Sequence, residues 1–207
     1  MSSTVADVMT SEAVSVSPDT PFKDCVEMLG VHQVGALPVT DKNGRLLGIL
    51  TESDLLRKEE VKGGRPPFPR ASATVASEAM TRAPVTVAPS TGIGEAARLM
   101  NQASVRHLLV TGSDGRLLGI VARADLLKVF LRSDESIRHE IDGELFPATF
   151  GIPHGTLDVE VRNGVVHLGG EVDKGQDKLL SAFTQRVEGV VAVVSRLRQR
   201  VEVGGKP

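Results

Sequence analysis

Apolar side chains near the start of the chain recur with the period of an α-helix. Phe22, Cys25 and Leu29 follow one another at intervals of three and four residues, which predicts a helix of about three turns. Thr20 followed by Pro21 is a typical start for such a helix, because a hydroxyl cap is followed by proline at the first helical position. We therefore expect the helix to begin at this pair.

The pattern after this helix is that of a β-hairpin. Two apolar segments, residues 36–39 and 46–50, are separated by turn-forming residues that include Asn43 and Gly44. Asn-Gly favours a tight turn because both residues tolerate the positive φ angles that the turn requires. With a short extended segment at residues 14–16 and a second helix after the hairpin, the predicted order is strand, helix, strand, strand, helix.

The chain then repeats this order. The hexapeptide Gly-Arg-Leu-Leu-Gly-Ile occupies residues 44–49 and again residues 115–120, an offset of 71 residues (115 − 44). One register over many scattered positions indicates a duplicated unit. The same offset aligns, without a gap, Met9-Thr10 with Met80-Thr81, Val14 with Val85, Leu37 with Leu108, and Asp54 with Asp125.

The second repeat is expected to contain the same elements as the first. Its first helix carries Ile93 and Met100 on one face and is predicted to be capped by Ser90. Strands are predicted at residues 105–110 and 117–121. We assign residues 1–60 to the first repeat, the glycine- and proline-rich residues 61–74 to a linker, and residues 75–132 to the second repeat.

A third unit, residues 134–203, has a different order of elements. An apolar stripe through Ile137 and Ile141 predicts a helix, and residues 156–161 alternate as in a half-buried strand. A turn at residues 163–164 returns the chain into a second strand, which a further helix and a last strand follow. The predicted order is helix, strand, strand, helix, strand.

Composition narrows the class of protein. The formal net charge is −2, so the chain has no overall attraction to nucleic acid. Aromatic residues make up 3%, without Trp or Tyr, so aromatic side chains on which bases could stack are scarce, and we do not expect nucleic acid as a partner. The N-terminus lacks the apolar core of an export signal, and no apolar segment approaches the roughly 18 residues of a membrane span. We expect a cytoplasmic protein, with the lone Cys25 as a buried thiol.

The sequence offers little for catalysis. No two of the five histidines have the spacing of a helical metal site, and there is neither a nucleophile elbow nor a phosphate-binding loop. We therefore do not expect an enzyme, and we expect no metal and no required cofactor.

The duplicated unit resembles a tandem cystathionine-beta-synthase (CBS) domain pair. The matching features are the Leu-Pro-Val strand, the Gly-x-Leu-x-Gly-Ile hairpin and the Gly-x-x-Thr-x-x-Asp ending, here residues 48–54. The resemblance implies an α+β fold in which two β-α-β-β-α units stack about an approximate two-fold axis. Symmetric clefts are then expected between the units.

The resemblance also implies a nucleotide site in each repeat. In such pairs the aspartate, here Asp54, hydrogen-bonds ribose hydroxyls of an adenosine nucleotide and the nearby Thr51 assists. Val14, Ala36 and Leu37 are then expected to flank the adenine. Motif statistics alone favour another interpretation, in which Thr51 and Asp54 form a capping box at the start of a helix.

The second copy departs from this pattern. It keeps Asp125 but has Ala122 in place of the threonine, and it adds Arg123. Arg106 and His107 provide donors in a region where the first copy has only Ala36 and Leu37. A solvated strand-end charge for Arg106 and a packed strand histidine for His107 are the alternatives. Our hypothesis is that Asp125, Arg106, His107 and Arg123 form the site that binds the phosphorylated ligand better.

The third unit resembles a BON domain, through Asn-Gly-Val-Val-x-Leu-x-Gly-x-Val and Val-x-Gly-Val-x-x-Val. BON domains are linked to envelope or phospholipid association and to interaction roles, but the export signal typical of envelope proteins is not found here. Arg196, Arg198 and Arg200 alternate along the last predicted strand. One interpretation is a surface that binds anionic lipid or a protein partner. The other is a solvated outer face of the sheet.

These resemblances predict a cytoplasmic regulatory protein. Its CBS pair binds AMP, ADP, ATP or S-adenosylmethionine, it forms a homodimer through the CBS pair, and its BON domain passes the state to a protein partner or an anionic membrane surface. The alternative is a constitutive interaction or membrane-surface adaptor with vestigial clefts.

Overall fold

The structure is a computed structural model that describes residues 3–60 and 73–200. It divides into two compact units, one formed by residues 3–126 and one that begins at Leu127. The predicted linker lies outside the described residues except for its last two positions. The predicted repeat boundaries therefore stay predictions.

The first unit contains two three-stranded sheets, one formed by its first three strands and one by its last three, each in chain order. Its helices are α1 (Val5–Val8), α2 (Phe22–His32), α3 (Glu52–Glu60), α4 (Ala76–Ala79), α5 (Ile93–Gln102) and α6 (Arg123–Leu126). Its strands are β1 (Ala36–Thr40), β2 (Leu46–Thr51), β3 (Thr81–Arg82), β4 (Thr86–Val87), β5 (His107–Thr111) and β6 (Leu117–Ala122).

Both predicted hairpins are present, and they have the same turn. β1 pairs antiparallel with β2, and β5 pairs antiparallel with β6. Gly44 and Gly115 both have a φ of +77°, a left-handed conformation that glycine adopts without steric cost. In the first turn the Asp41 carboxylate accepts hydrogen bonds from the backbone N–H groups of Asn43 (2.8 Å) and Arg45 (2.9 Å). The duplicated hexapeptide is therefore a duplicated hairpin.

The two repeats exchange their N-terminal segments, which we name the first arm (residues 4–10) and the second arm (residues 75–81). In the first arm, the Val5 N–H donates to the Thr91 carbonyl of the second repeat at 2.8 Å. The second arm mirrors this contact, because the Ala76 N–H donates to the Thr20 carbonyl of the first repeat at 2.9 Å. Each arm thus folds onto the repeat to which it does not belong in sequence.

The exchange completes both hydrophobic cores. Val5 and Val8 of the first arm pack with Val87, Ala96 and Met100 of the second repeat. Full burial of a valine side chain contributes about 1.5–3 kcal/mol, so the arms are substantial parts of the cores that they enter. The second arm supplies the equivalent residues to the first repeat, namely Ala76, Ala79 and Met80.

An approximate two-fold axis relates the repeats. The Leu46 N–H donates to the Gly115 carbonyl at 3.2 Å, and reciprocally the Leu117 N–H donates to the Gly44 carbonyl at 3.0 Å. A small apolar cluster lies between the sheets, with Ala36, Ile49 and Leu109 at its centre and Leu46, Leu117 and Ile120 around it. The predicted α+β architecture of two stacked, pseudo-symmetric units is confirmed.

Some local predictions are wrong by a few residues. Helix α2 begins one residue later than expected, with Pro21 at the cap position, because the Thr20 hydroxyl instead accepts from the Ser17 N–H at 3.1 Å. Gly92, not Ser90, occupies the cap position of α5.

The comparison of the two strand starts also needs correction. Ala36 pairs with Thr51 in the first hairpin, and His107 pairs with Ala122 in the second. Because these pairs are equivalent, His107 corresponds to Ala36, and Arg106 corresponds to Gly35. The pair Arg106-His107 is therefore matched by Gly35-Ala36 and not by Ala36-Leu37.

The second unit follows the predicted order. Residues 134–150 form one helical run, composed of α7 (Asp134–His139), a π-helical turn (Glu140–Leu145) and α8 (Phe146–Phe150). A three-stranded sheet in the order β7-β8-β9 packs against this run and against α9, and Phe146, Leu168 and Leu180 are buried between them. The remaining elements are a 3₁₀ helix (Leu127–Leu131), β7 (Asp158–Arg162), β8 (Val165–Val172), α9 (Gln176–Thr184) and β9 (Ala192–Gln199).

One buried carboxylate holds the segment between α8 and β7. Asp142 in the π-helical turn is only 5% exposed. It accepts a hydrogen bond from the Gly155 N–H at 3.1 Å, and it lies 2.6 Å from Nδ1 of His154. These contacts fix the approach of the chain to the sheet.

The second glycine of the hexapeptide allows the arm exchange, and this can be tested. A methyl group on Gly119 would lie 2.6 Å from the Thr10 carbonyl oxygen, which belongs to the backbone of the first arm. We expect Gly119→Ala to lower the free energy of unfolding by about 1–3 kcal/mol, because backbone must move to relieve the overlap. Thermal unfolding measures the effect.

Gly94→Ala is the matched control, because a methyl group at this helical position meets nothing within 4 Å. It should leave the melting temperature unchanged or raise it. Equal melting temperatures for the parent and Gly119→Ala would contradict a close approach of the arm.

Candidate functional site

A cavity of about 250 Å³ opens between the two repeats, and we name it the Asp125 cavity. The first arm and the segment that follows it form one wall, and the start of β1 forms another. The ends of β5 and β6 close it from the second repeat. Its lining residues are Thr10, Glu12, Ala13, Val14, Gln33, Val34, Gly35, Ala36, His107, Ile120, Ala122 and Asp125.

The capping interpretation of Thr51 and Asp54 matches the geometry. The Asp54 carboxylate accepts from the Thr51 N–H at 3.0 Å and from the Thr51 hydroxyl at 2.6 Å. In return the Asp54 N–H donates to the Thr51 hydroxyl at 3.3 Å. The other carboxylate oxygen of Asp54 accepts from the hydroxyl of Thr81, in the second arm, at 3.2 Å. Both oxygens of Asp54 are therefore engaged within the protein.

Asp125 has a reduced form of the same arrangement. One of its carboxylate oxygens accepts from the Ala122 N–H at 2.8 Å. Because residue 122 is alanine, the hydroxyl contact that Thr51 makes in the first repeat has no equivalent here. The carboxylate is thus held by a backbone N–H group at the wall of the cavity.

His107 lies where the two repeats meet. A methyl group on Gly35 would be 3.4 Å from Cε1 of His107 and 3.8 Å from a carboxylate oxygen of Glu52, so these groups surround the same glycine. Burial lowers the pKa of His107 below its ordinary value of 6.5. The carboxylates of Asp125 and Glu52 act in the opposite direction, and Arg106 adds to the lowering. The imidazole is therefore predominantly neutral at pH 7.

The structure brings together four of the predicted site residues. Val14, Ala36, His107 and Asp125 all line the Asp125 cavity. Val14 and Ala36 were expected beside the adenine of the Asp54 site, but they lie with Asp125 instead. Leu37 does not, because strand alternation turns its side chain into the core of the first repeat, where it is fully buried.

The arginines do not join Asp125 as expected. Neither Arg106 nor Arg123 is among the residues that line the Asp125 cavity, and both are exposed. The Arg123 side chain instead donates from Nε to the Val105 carbonyl at 3.2 Å. Val105 corresponds to Val34, which lines the Asp125 cavity. The approximate two-fold axis therefore places Val105, and the Arg123 side chain that is hydrogen-bonded to it, on the opposite side of the pair, near Asp54. We name the region around Thr51 and Asp54 on that side, which corresponds to the Asp125 cavity by the repeat symmetry, the Asp54 cleft.

Several lining residues were not identified from the sequence. Thr10 and Glu12 reach the cavity through the arm exchange, and Gln33 and Gly35 lie in the connection between α2 and β1. The alignment of Met9-Thr10 with Met80-Thr81 was a signal, because it extends the repeat into the arms. The sequence did not reveal that the arms cross to the other repeat.

The arginines of β9, and Arg200 just after it, lie among acidic residues. Arg196 and Arg198 are exposed, and Arg200 lies 3.7 Å from Asp173. Arg198 pairs with Glu171 across the sheet, so an acidic neighbour offsets its charge. Of the helices in the described parts of the chain, none has the length and apolar character that crossing a bilayer requires.

Comparison with known proteins gives matches along the chain. The CBS domain family matches residues 5–60 and 75–132, and the BON domain family matches residues 133–201. The CBS domain-containing protein CBSX2 of Arabidopsis thaliana is 31% identical over 152 residues, which are 62% of this chain and 64%, less than two thirds, of that relative. YhcV of Bacillus subtilis, another CBS domain-containing protein, is 33% identical over 60% of this chain and 83% of its own length.

A solved structure of CBSX2 in complex with AMP superimposes with a TM-score of 0.57, over 62% of this chain and 97% of that one. An enzyme is also among the matches, the arabinose 5-phosphate isomerase KpsF of Escherichia coli, at 34% identity. The match covers only 34% of KpsF and 56% of this chain. The relatives matched over most of their length are CBS-domain proteins rather than enzymes.

The position of His107 gives a testable pH dependence. We expect its NMR titration midpoint to lie below 6.5, with His107→Gln used to assign the signal. Glu52→Gln should lower the midpoint further, since a carboxylate favours the imidazolium, and Arg106→Gln should raise it. Because the unfolded chain then binds more protons than the native one, the contribution of His107 to stability is present above pH 6.5 and is lost as the pH falls. A midpoint above 6.5 would refute this assignment.

Proposed function

The chain belongs to the CBS-domain family and carries a BON domain at residues 133–201. From this premise we propose that it is a regulatory protein that binds an adenosine-containing ligand between its CBS repeats. The observation that carries the proposal is the Asp125 cavity, which combines a fixed carboxylate with small apolar side chains. A carboxylate can accept from the two vicinal hydroxyls of a ribose, and the apolar wall suits the face of a base. The AMP complex of CBSX2 supports this ligand class.

Signalling requires that the ligand prefer one arrangement of the protein over another. The Asp125 cavity suits this requirement because its walls come from both repeats. A bound ligand therefore stabilises one relative position of the repeats. We propose that the BON domain passes this state to a partner in the cytoplasm.

The proposal can be tested by thermal shift and isothermal titration on the full chain. AMP, ADP, ATP, adenosine and S-adenosylmethionine are the ligands to compare. We expect at least one to raise the melting temperature, because binding to the native state alone stabilises it. Asp125→Asn should weaken that binding by about tenfold or more, since a charged acceptor to the ribose is lost.

Glu95→Gln is the control, because Glu95 is an exposed acid on α5 that does not line the cavity. It should bind as the parent does. If no ligand binds the parent, the alternative of a constitutive adaptor with vestigial clefts is favoured.

We also propose that two copies associate through α2 and α3 of the first repeat. A groove of about 600 Å³ between these helices is lined mainly by apolar side chains, and Val26 and Leu56 in it are 47% and 62% exposed. Such an exposed apolar surface is typical of a protein interface. Its further lining residues are Phe22, Leu29, Gly30, Glu52 and Leu55.

Sedimentation velocity tests this association. We expect the parent to sediment as a dimer and the double variant Val26→Glu/Leu56→Glu as a monomer, because charges would be buried without partners. Val31→Glu is the matched control, since Val31 is also on α2 and is 70% exposed, but lies outside the groove. A monomeric parent, or a double variant that remains dimeric, would contradict the proposal.

A further inference from the structure

We propose that the Asp125 cavity selects an adenosine ligand without phosphate, one that is uncharged or cationic beyond the ribose, over AMP, ADP and ATP. This inference rests on the proposed function, because it names the charge class of the ligand for the same cavity. It replaces the expectation that Asp125 belongs to the cleft that favours phosphate.

The first argument is the charge of the cavity wall. Among its lining residues only Glu12, His107 and Asp125 carry ionisable side chains. Glu12 and Asp125 are carboxylates, and the burial of His107 keeps its imidazole predominantly neutral at pH 7. The residues that line the cavity therefore provide two negative charges and no permanent positive charge.

A third carboxylate lies at the edge of the cavity. Gly35 lines the cavity, and a methyl group on it would be 3.8 Å from a carboxylate oxygen of Glu52. Glu52 thus adds negative potential at the start of β1, and the charge of Arg106, which also acts on His107, opposes part of it. Because glycine has no side chain, nothing from residue 35 separates the Glu52 charge from the cavity.

The second argument is the contrast with the Asp54 cleft. At the repeat offset of 71 residues, Ala83 replaces Glu12, Arg106 replaces Gly35, and Arg123 replaces Glu52. Each replacement makes the Asp54 cleft more positive than the Asp125 cavity. The hydrogen bond from Arg123 to the Val105 carbonyl holds one of these cations on the Asp54 side.

These differences are large enough to decide which ligand binds. Two unit charges about 6 Å apart change an equilibrium constant by about threefold in bulk water, and by roughly a hundredfold at the effective dielectric constant of about 20 that is typical near a protein surface. A phosphate carries up to two negative charges at pH 7, and it would face two or three carboxylates in the Asp125 cavity. A sulfonium group, as in S-adenosylmethionine, would be attracted by the same groups.

Isothermal titration of the full chain with adenosine, AMP and S-adenosylmethionine tests the selection. Asp125→Asn and Asp54→Asn assign each binding event to one of the two sites. At the site that Asp125→Asn weakens, we expect adenosine and S-adenosylmethionine to bind at least about fivefold more tightly than AMP. Added salt should reduce this difference, because it screens the repulsion of the phosphate.

Glu12→Gln gives a second readout at the same site. It removes one repelling charge while keeping the shape of the side chain, so it should raise the affinity for AMP more than the affinity for adenosine. Glu95→Gln, outside both clefts, should change neither.

The outcomes separate this inference from the proposed function. Binding of AMP at the Asp125 site with an affinity equal to or above that of adenosine would overturn the charge selection and leave the proposed function standing. The same holds if Arg106→Gln weakens AMP at that site, because Arg106 would then reach the phosphate. Failure of every ligand to bind would refute the proposed function itself.

Discussion

The CBS pair depends on one close contact, the passage of each arm over a glycine of the other repeat. The Gly119 position lies under the Thr10 carbonyl of the first arm, and Gly48 lies under the Thr81 carbonyl of the second. At both places a side chain as small as a methyl group would overlap backbone. Because the arms cross here, α1 and α4 reach the cores of the opposite repeats, and neither core is complete without its exchanged arm.

This constraint explains which residues are identical at equivalent positions of the two repeats. The hairpin turn and the glycine beneath the arm have the same structural role in both repeats. Each repeat therefore has a glycine in the turn, Gly44 or Gly115, and a second glycine beneath the arm, Gly48 or Gly119. The residues that face the clefts are not held by this geometry. Glu12, Gly35 and Glu52 therefore differ from Ala83, Arg106 and Arg123. At the first of these positions the backbone differs as well, because Ala83 has a φ of +52° and Glu12 does not have a positive φ.

Much of the fold could be predicted because its signals are local. The hairpins depend on Gly44 and Gly115, which need a left-handed conformation, and the apolar periods of α2 and α5 depend on neighbouring turns of one helix. The predicted cap at Thr20 was wrong because its hydroxyl has a competing partner, the Ser17 N–H, that the helix pattern does not reveal.

The candidate site was predicted less well, because it is assembled from distant parts of the chain. Asp125 and His107 were grouped in advance, and the structure places them in one cavity. Val14 and Ala36 were expected at the Asp54 site from the resemblance, but they line the Asp125 cavity. Arg106 and Arg123 were grouped with Asp125 because they are close to it in sequence. The approximate two-fold axis instead places the start of the first hairpin strand of one repeat beside the aspartate of the other repeat. Gly35 thus lines the Asp125 cavity in the place that sequence proximity gave to Arg106.

The arm exchange also connects the proposed ligand site to the arrangement of the repeats. Thr10 belongs to the arm that completes the core of the second repeat, and Gly35 begins the central hairpin of the first. Both line the Asp125 cavity, so a ligand held there contacts structure from each repeat at the point where their cores interlock. A shift of the arm changes the core and the cavity together, because the same short segment supplies both. The cavity is therefore well placed to detect, or to impose, a change in the way the two repeats are joined.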